Sequence, residues 1–297
     1  MARVLRTERS IVLQAWARRD PFAAISHLEE NGVDDWERET SLSAWASIDP
    51  AGAFAWASIS EDGGSANNWM VGAVRGIAAT NPELARDYLS QLADGNTRSR
   101  ALESMKADVI QYGYDYAEDW INGITDSSLH NLALREFAND LANLDPARAG
   151  NWVASISDAE TRAEVTENVS YNWASQDLEG AKSWVLSLAE DIRIEAAEGI
   201  ARHYAQQDPV EAAKWIGGLG NDLDFDGARQ VLVREAFRKD PSTSLSYVAY
   251  IADPETKERS YQRFLGKWMQ ADSVSARNWA IANQASLPES VSLFFRQ

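Results

Sequence analysis

No cysteine occurs in the 297-residue chain, so disulfides, thiolate nucleophiles and thiolate metal sites are excluded from the outset. Histidine is scarce: His27, His130 and His203 are the full set, and they lie far apart in the chain. No apolar run approaches the roughly 20 residues that a membrane-spanning helix needs, so no membrane contact is expected. Within Met1–Arg19 the charges of Arg3, Arg6, Glu8 and Arg9 interrupt any signal-peptide core. A cytoplasmic location is the default expectation, with an exported origin left open. Basic residues are few as well: 28 Lys and Arg stand against 45 Asp and Glu, a net charge of −17. Nucleic acid is therefore not an expected partner, because a phosphate backbone is neutralised by Lys and Arg. Also missing are Gly-x-Ser-x-Gly, a phosphate-cradling Gly loop and His-Glu-x-x-His, so no catalytic residue, cofactor site or metal site is singled out.

What is present is a core-forming composition and a period. Apolar residues make up 45% of the chain and aromatics 10%, which suits a large buried interior. The dipeptide Asp-Pro recurs at Asp20, Asp49, Asp145, Asp208 and Asp240, and aligned degenerate copies begin at Asn81, Gly113, Asp177 and Asp272. Successive starts are 29, 32, 32, 32, 32, 31, 32 and 32 residues apart, the signature of internal repeats.

Each column of the repeat has a physical reading. The starting Asp or Asn is a preferred helix N-cap, and the following column holds Pro21, Pro50, Pro82, Pro146, Pro209 and Pro241, the residue best tolerated at the first helical position. Four residues on stand Ala24, Ala53, Ala85, Ala117, Ala149, Ala181, Ala212, Ser244 and Ala276. Seven on stand His27, Trp56, Tyr88, Trp120, Trp152, Trp184, Trp215, Tyr247 and Trp279. With apolar residues eight and eleven on, these offsets trace one stripe of an α-helix, and the constant small residue marks a point where a neighbouring helix passes close. A second cap column thirteen residues on (Asp62, Asp94, Asp126, Asp158, Glu190, Asn221 and Asp253) opens a second helix. Its apolar positions lie eight and four residues before the next repeat, as at Phe137 and Leu141 or Val169 and Trp173.

The expected fold is all-α: about nine helix-turn-helix repeats of ~32 residues in one repeat domain spanning residues 1–297. Repeats start near residues 20, 49, 81, 113, 145, 177, 208, 240 and 272, with a half-repeat at 1–19 and a cap at 287–297. No unit of this kind buries its stripe alone, so the units stack as a solenoid. The string Asp-Pro-x-x-Ala-x-x-Trp, at Asp49–Trp56, Asp145–Trp152 and Asp208–Trp215, resembles the junction between tetratricopeptide repeats. The likeness spans nearly the whole chain but only at the junction. That family's period is 34, and its glycine four residues after the aromatic is replaced here by Ile156, Leu188 and Leu219. A HEAT-like α-solenoid is the second choice. The resemblance implies a right-handed solenoid whose first helices line a concave surface that takes a protein or peptide.

On that geometry the columns five and nine residues after the start face the groove, and Arg86, Ser90, Glu118, Asn122 and Lys182 are the expected partner contacts. The reading is therefore a non-catalytic interaction scaffold. Its rivals are an acidic inhibitor or immunity-type protein that blocks a basic target, and an enzyme built on helical repeats. Ten of the twelve tryptophans fall in the two aromatic-bearing core columns, which leaves Trp36 and Trp69 as candidates for stacking on a ligand. The thirteen acids of the two cap columns account for most of the acidic excess. The stretch Asn221–Gly227, with Asp222, Asp224 and Asp226, resembles the first half of a calcium loop, but Val233 stands where its closing acid belongs, so a solvated turn is expected.

Overall fold

In a computed structural model, residues 2–32, 34–60, 66–220 and 225–294 are described, and all regular structure among them is helical. The chain divides into two compact units, residues 1–144 and 145–297, and the division falls at a repeat start. In the first unit the first helices of the repeats are α2 (Pro21–Asn31), α4 (Pro50–Ile59), α6 (Pro82–Leu89) and α8 (Tyr114–Asn122). The second helices alternate with them: α1 (Ala2–Arg19), α3 (Asp35–Ala46), α5 (Asn68–Ala78), α7 (Asn96–Ile110) and α9 (Ser127–Leu144). In the second unit the first helices are α10 (Pro146–Val153), α12 (Leu178–Ser187), α14 (Pro209–Leu219), α16 (Pro241–Tyr247) and α18 (Ser273–Ala282). Their partners are α11 (Ala159–Gln176), α13 (Glu190–Gln207), α15 (Asp226–Phe237) and α17 (Pro254–Ala271), and α19 (Glu289–Phe294) follows. Each of the nine first helices begins one residue after the start read from the sequence.

The reason is the cap. In eight of the nine, the Asp or Asn side chain accepts backbone N–H groups of the first turn, as Asp20 does from Ala23 at 3.1 Å, Asp145 from Arg148 at 3.0 Å and Asp177 from Gly180 at 2.9 Å. Caps of this type contribute about 1 kcal/mol each. The exception is Gly113, whose φ of 92° only a glycine adopts without strain.

The second cap column is less regular. Asp126, Asp158 and Asp253 accept from Leu129, Thr161 and Thr256 as expected. Asp34 caps α3 through a reciprocal box with Glu37, α5 is capped by Asn67, and Glu190 lies inside α13 instead of before it. Asp94 sits one residue ahead of the cap and binds Arg98 instead. Asp62 and Asn221 lie outside the described residues.

The stripe is buried as its period requires. All nine side chains of the fourth column, Ser244 included, are 0% exposed. Of the seventh column, Trp120, Trp152, Trp184 and Tyr247 are buried and Trp56, Tyr88, Trp215 and Trp279 half-buried, whereas His27 is exposed, not core as its column suggested. The ring four residues before a repeat start meets the ring seven residues after it. Trp16–His27, Trp45–Trp56, Trp173–Trp184, Tyr204–Trp215 and Trp268–Trp279 have centroids 5.1 to 6.4 Å apart. Such pairs add about 0.5–1.5 kcal/mol beyond burial. They lock each second helix to the first helix that follows it.

Second helices also pack on second helices. Within the first unit α1, α3, α5 and α7 form such a row, and within the second unit α11, α13 and α15, whereas first helices meet one another through side chains, as Phe54 of α4 meets Tyr88 of α6 with centroids 4.5 Å apart. Glycine permits the closest crossings. A Cβ on Gly76 of α5 would lie 2.1 Å from the Ser43 carbonyl oxygen of α3, and one on Gly72 would lie 2.5 Å from that of Glu39. On α13, Gly199 meets the Glu167 carbonyl of α11 at 2.2 Å in the same sense.

Two substitutions separate these roles. Gly76→Ala should overpack the α3–α5 crossing and cost roughly 1–3 kcal/mol in denaturant unfolding. Gly217→Ala, on the open face of α14 where a Cβ meets nothing within 4 Å, should instead stabilise by up to about 1 kcal/mol. Trp120→Ala, which empties a site 2% exposed and removes the indole hydrogen bond to the Pro82 carbonyl at 2.9 Å, should cost about 3–5 kcal/mol.

Candidate functional site

Two polar cavities open on second helices. In the first unit, a cavity of about 350 Å3 runs across Arg18 of α1, Ser43 of α3 and Ser47 just past its end, Arg75 of α5 and Ser104 and Asp108 of α7. Four successive second helices contribute to it because they lie side by side. Burial pushes the Asp108 carboxyl above its ordinary value, and the nearby Arg75 charge opposes that shift. Arg100 of α7 ties the same row together, bonding Asn68 of α5 and Glu39 of α3. Glu39 is likewise raised by burial, against the pull of Arg100 and Arg75.

In the second unit, a cleft of about 510 Å3 separates α15 from α17. The short 3-10 turn Val248–Tyr250 packs against both helices, which do not approach each other as α11 and α13 do. Gln230 and Arg234 line one wall, Thr256, Arg259, Ser260 and Arg263 the other, and Phe264 the floor; no carboxylate is among them. A third cavity, of about 380 Å3, is more apolar and lies on the first-helix side, where Val210, Ile216, Tyr247 and Tyr250 meet.

The five residues expected to contact a partner lie on first helices and do not converge on any of these cavities. Arg86 of α6 is half-buried and donates to the Trp120 carbonyl at 3.2 Å, placing its charge at the negative end of α8. Ser90 is exposed, its hydroxyl donating to Asp87 at 2.8 Å. Glu118 is half-buried, and Asn122 is exposed at the end of α8, beside the carbonyls that Arg86 reaches. Lys182 lies in the other unit, 2.8 Å from Glu179 and 5.4 Å above the Tyr204 ring.

The remaining candidates have structural surroundings. Trp69 is 2% exposed in the core, so it does not stack on a ligand; Trp36 is half-buried. Asp222 and Asp224 lie outside the described residues. Asp226 is buried, and its two oxygens accept from Arg229 at 2.6 Å and from the Ala252 and Asp253 N–H groups at 2.7 Å each. That carboxylate staples α15 to the turn before α17. His130 and His203 are half-buried in different units, both with pKa values lowered by burial. No group of three His, Asp or Glu able to hold a metal occurs among the described residues, and no helix among them is long and apolar enough to cross a membrane.

One recurrent device escaped the column reading. Arg162, Arg193 and Arg229, from the beginnings of second helices, donate to the Ile156, Leu188 and Gly220 carbonyls at the ends of the preceding first helices, at 3.4, 2.8 and 2.6 Å. Arg98, 4% exposed, does a related task by bridging Asp94 and Asp126. These arginines lie 17, 16 and 21 residues after their repeat starts, so unequal turn lengths hide them from a column reading.

Neither a family model, nor a curated protein, nor a solved structure matches this chain. Its class is therefore defined by its own geometry: an all-α protein with a helical-repeat pattern.

Glu198 of α13 gives this surface a testable pH dependence. It is partly buried, and burial followed by the charges of Glu167 and Glu195 raises its pKa, with Arg234 opposing. A folded-state pKa above the unfolded value of about 4.3 means that its contribution to stability is present below that pH and lost as the carboxyl ionises above it. Glu198→Gln should therefore melt higher than the parent protein at neutral pH, with the difference vanishing toward pH 4. A constant difference across that range would place the effect elsewhere.

Proposed function

We propose that the chain is a non-catalytic scaffold: a right-handed α-solenoid of nine repeats that holds an extended peptide of a protein partner against the face built by its second helices. The observation that carries this reading is the side-by-side row of second helices within each unit, with a polar cavity opening on the row in the first unit and one at its end, beside α15, in the second. A solenoid presents its closely packed helix row as an elongated surface, and such surfaces suit extended ligands. The two cavities are lined by polar and charged side chains, among them Ser104 and Arg75 in one unit and Gln230 and Arg263 in the other. This places contact on second helices, where the tetratricopeptide resemblance puts it on first helices.

Site-specific photo-cross-linking of peptides selected from a random library tests the assignment. A benzophenone side chain at Ser43 or Ser104 should give adducts with the selected peptides, and one at Ser90 or Asn122 should not. Adducts formed only from Ser90 and Asn122 would move the surface to the first helices, and a library that yields no binder would remove the scaffold reading.

A further inference from the structure

We propose that the α15–α17 cleft recognises an acidic peptide segment, bound extended with carboxylates on alternate residues. The inference deepens the scaffold reading and rests on it. In a chain of net charge −17, this cleft is lined by three arginines and no carboxylate. That local reversal of sign is unexplained by folding. Arg234 does bond Glu235 of its own helix, at 3.2 Å, and it faces Glu198 of α13. Arg259 has only a 3.7 Å approach to the exposed Glu255 and a 3.2 Å bond to Thr256. Arg263 and Lys267 have no anionic partner among the described residues; each sits over the Phe264 ring, at 5.5 and 5.9 Å. Phe264 is itself 5% exposed, so the two cations rest on a fixed apolar floor instead of moving freely in solvent. Beside them the Ser260 hydroxyl and the Gln230 amide line the cleft, offering neutral polar groups.

The spacing chooses the ligand. Arg259, Arg263 and Lys267 recur every fourth residue on α17, so at about 1.5 Å rise per residue the cationic row extends about 12 Å. A free dianion such as phosphate spans only one step of that row. An extended chain repeats a side chain on one face roughly every 7 Å, so two or three alternate carboxylates match the row's length. Guanidinium groups bind carboxylates in bidentate fashion, and Gln230 and Ser260 are placed to meet the intervening backbone. The long-range field of the acidic chain opposes an acidic ligand, so recognition depends on this local cluster and is short-ranged.

The test is fluorescence anisotropy with the full chain and a short labelled peptide carrying Glu at alternate positions, beside an otherwise identical peptide with Gln. The Glu peptide should bind at least about tenfold more tightly than the Gln peptide. The double variant Arg259→Gln/Arg263→Gln should lose about tenfold or more of that affinity with an unchanged melting temperature, and Lys267→Gln a smaller part. Arg277→Gln, exposed on α18, should leave binding as it was. Equal affinity for the two peptides, or indifference to the double variant, overturns the proposal. So does displacement of the peptide by inorganic phosphate at comparable concentration, which would make the cleft a small-anion site. If the acidic peptide fails here while library peptides still cross-link at Ser104, the acidic preference falls and the scaffold reading stands; failure of both removes the two together.

Discussion

The structure depends on one steric condition: at the fourth position of every repeat the side chain must be small enough for a neighbouring helix to close over it. All nine such positions are 0% exposed, and eight carry alanine. A larger side chain would hold the helices apart, and the aromatic three residues later would then stand over a gap. Close packing of this kind leaves little room for relaxation, so a void or an intrusion is felt directly. The caps serve the same condition. By starting each first helix at a fixed residue, the Asp or Asn sets the rotation of that helix and so the direction in which the small residue faces.

Several of these relations are legible in the sequence because they are local. A cap and its N–H partners lie two or three residues apart, and the stripe of Ala149, Trp152 and Val153 lies within two turns. Gly72 and Gly76 were not legible: their need for glycine comes from the backbone of α3, over thirty residues away. The same holds for Arg86, whose column suggested a groove-facing residue. Its guanidinium is drawn to the end of α8 by carbonyl groups that only stacking brings near. His27 failed in the opposite sense. It holds the aromatic column at the first repeat, where few neighbours cover it, and remains exposed while still touching Trp16 at 5.1 Å. Column position thus predicts a side chain's direction, whereas its burial depends on what stacks beside it.

The charges divide along similar lines. Most starting Asp residues are exposed, and their negative charge is set against the positive end of a helix dipole. Arginines at the beginnings of second helices face the opposite ends of first helices. Acid and base are therefore segregated by helix polarity, and the thirteen acids of the two cap columns account for much of the acidic excess. The α15–α17 cleft departs from this scheme, since its arginines face neither a helix end nor a buried carboxylate that would neutralise all three.

Burial, not length, separates the second helices that form the closely packed row from the first helices. First helices of 7 to 11 residues bury two to four residues each, whereas α3, α5 and α15, only 11 or 12 residues long, bury seven, ten and eight. A second helix of the row is thus covered on more than one face, and glycine on α5 and α13 lets it approach its neighbour along the backbone. A surface made from long, parallel, closely spaced helices is stiff along its length and presents side chains at one-turn intervals. Under the proposed scaffold reading, such a surface discriminates between ligands by the spacing of their side chains, and the four-residue spacing of the α17 cations at the end of the row is the feature that the proposed acidic peptide meets.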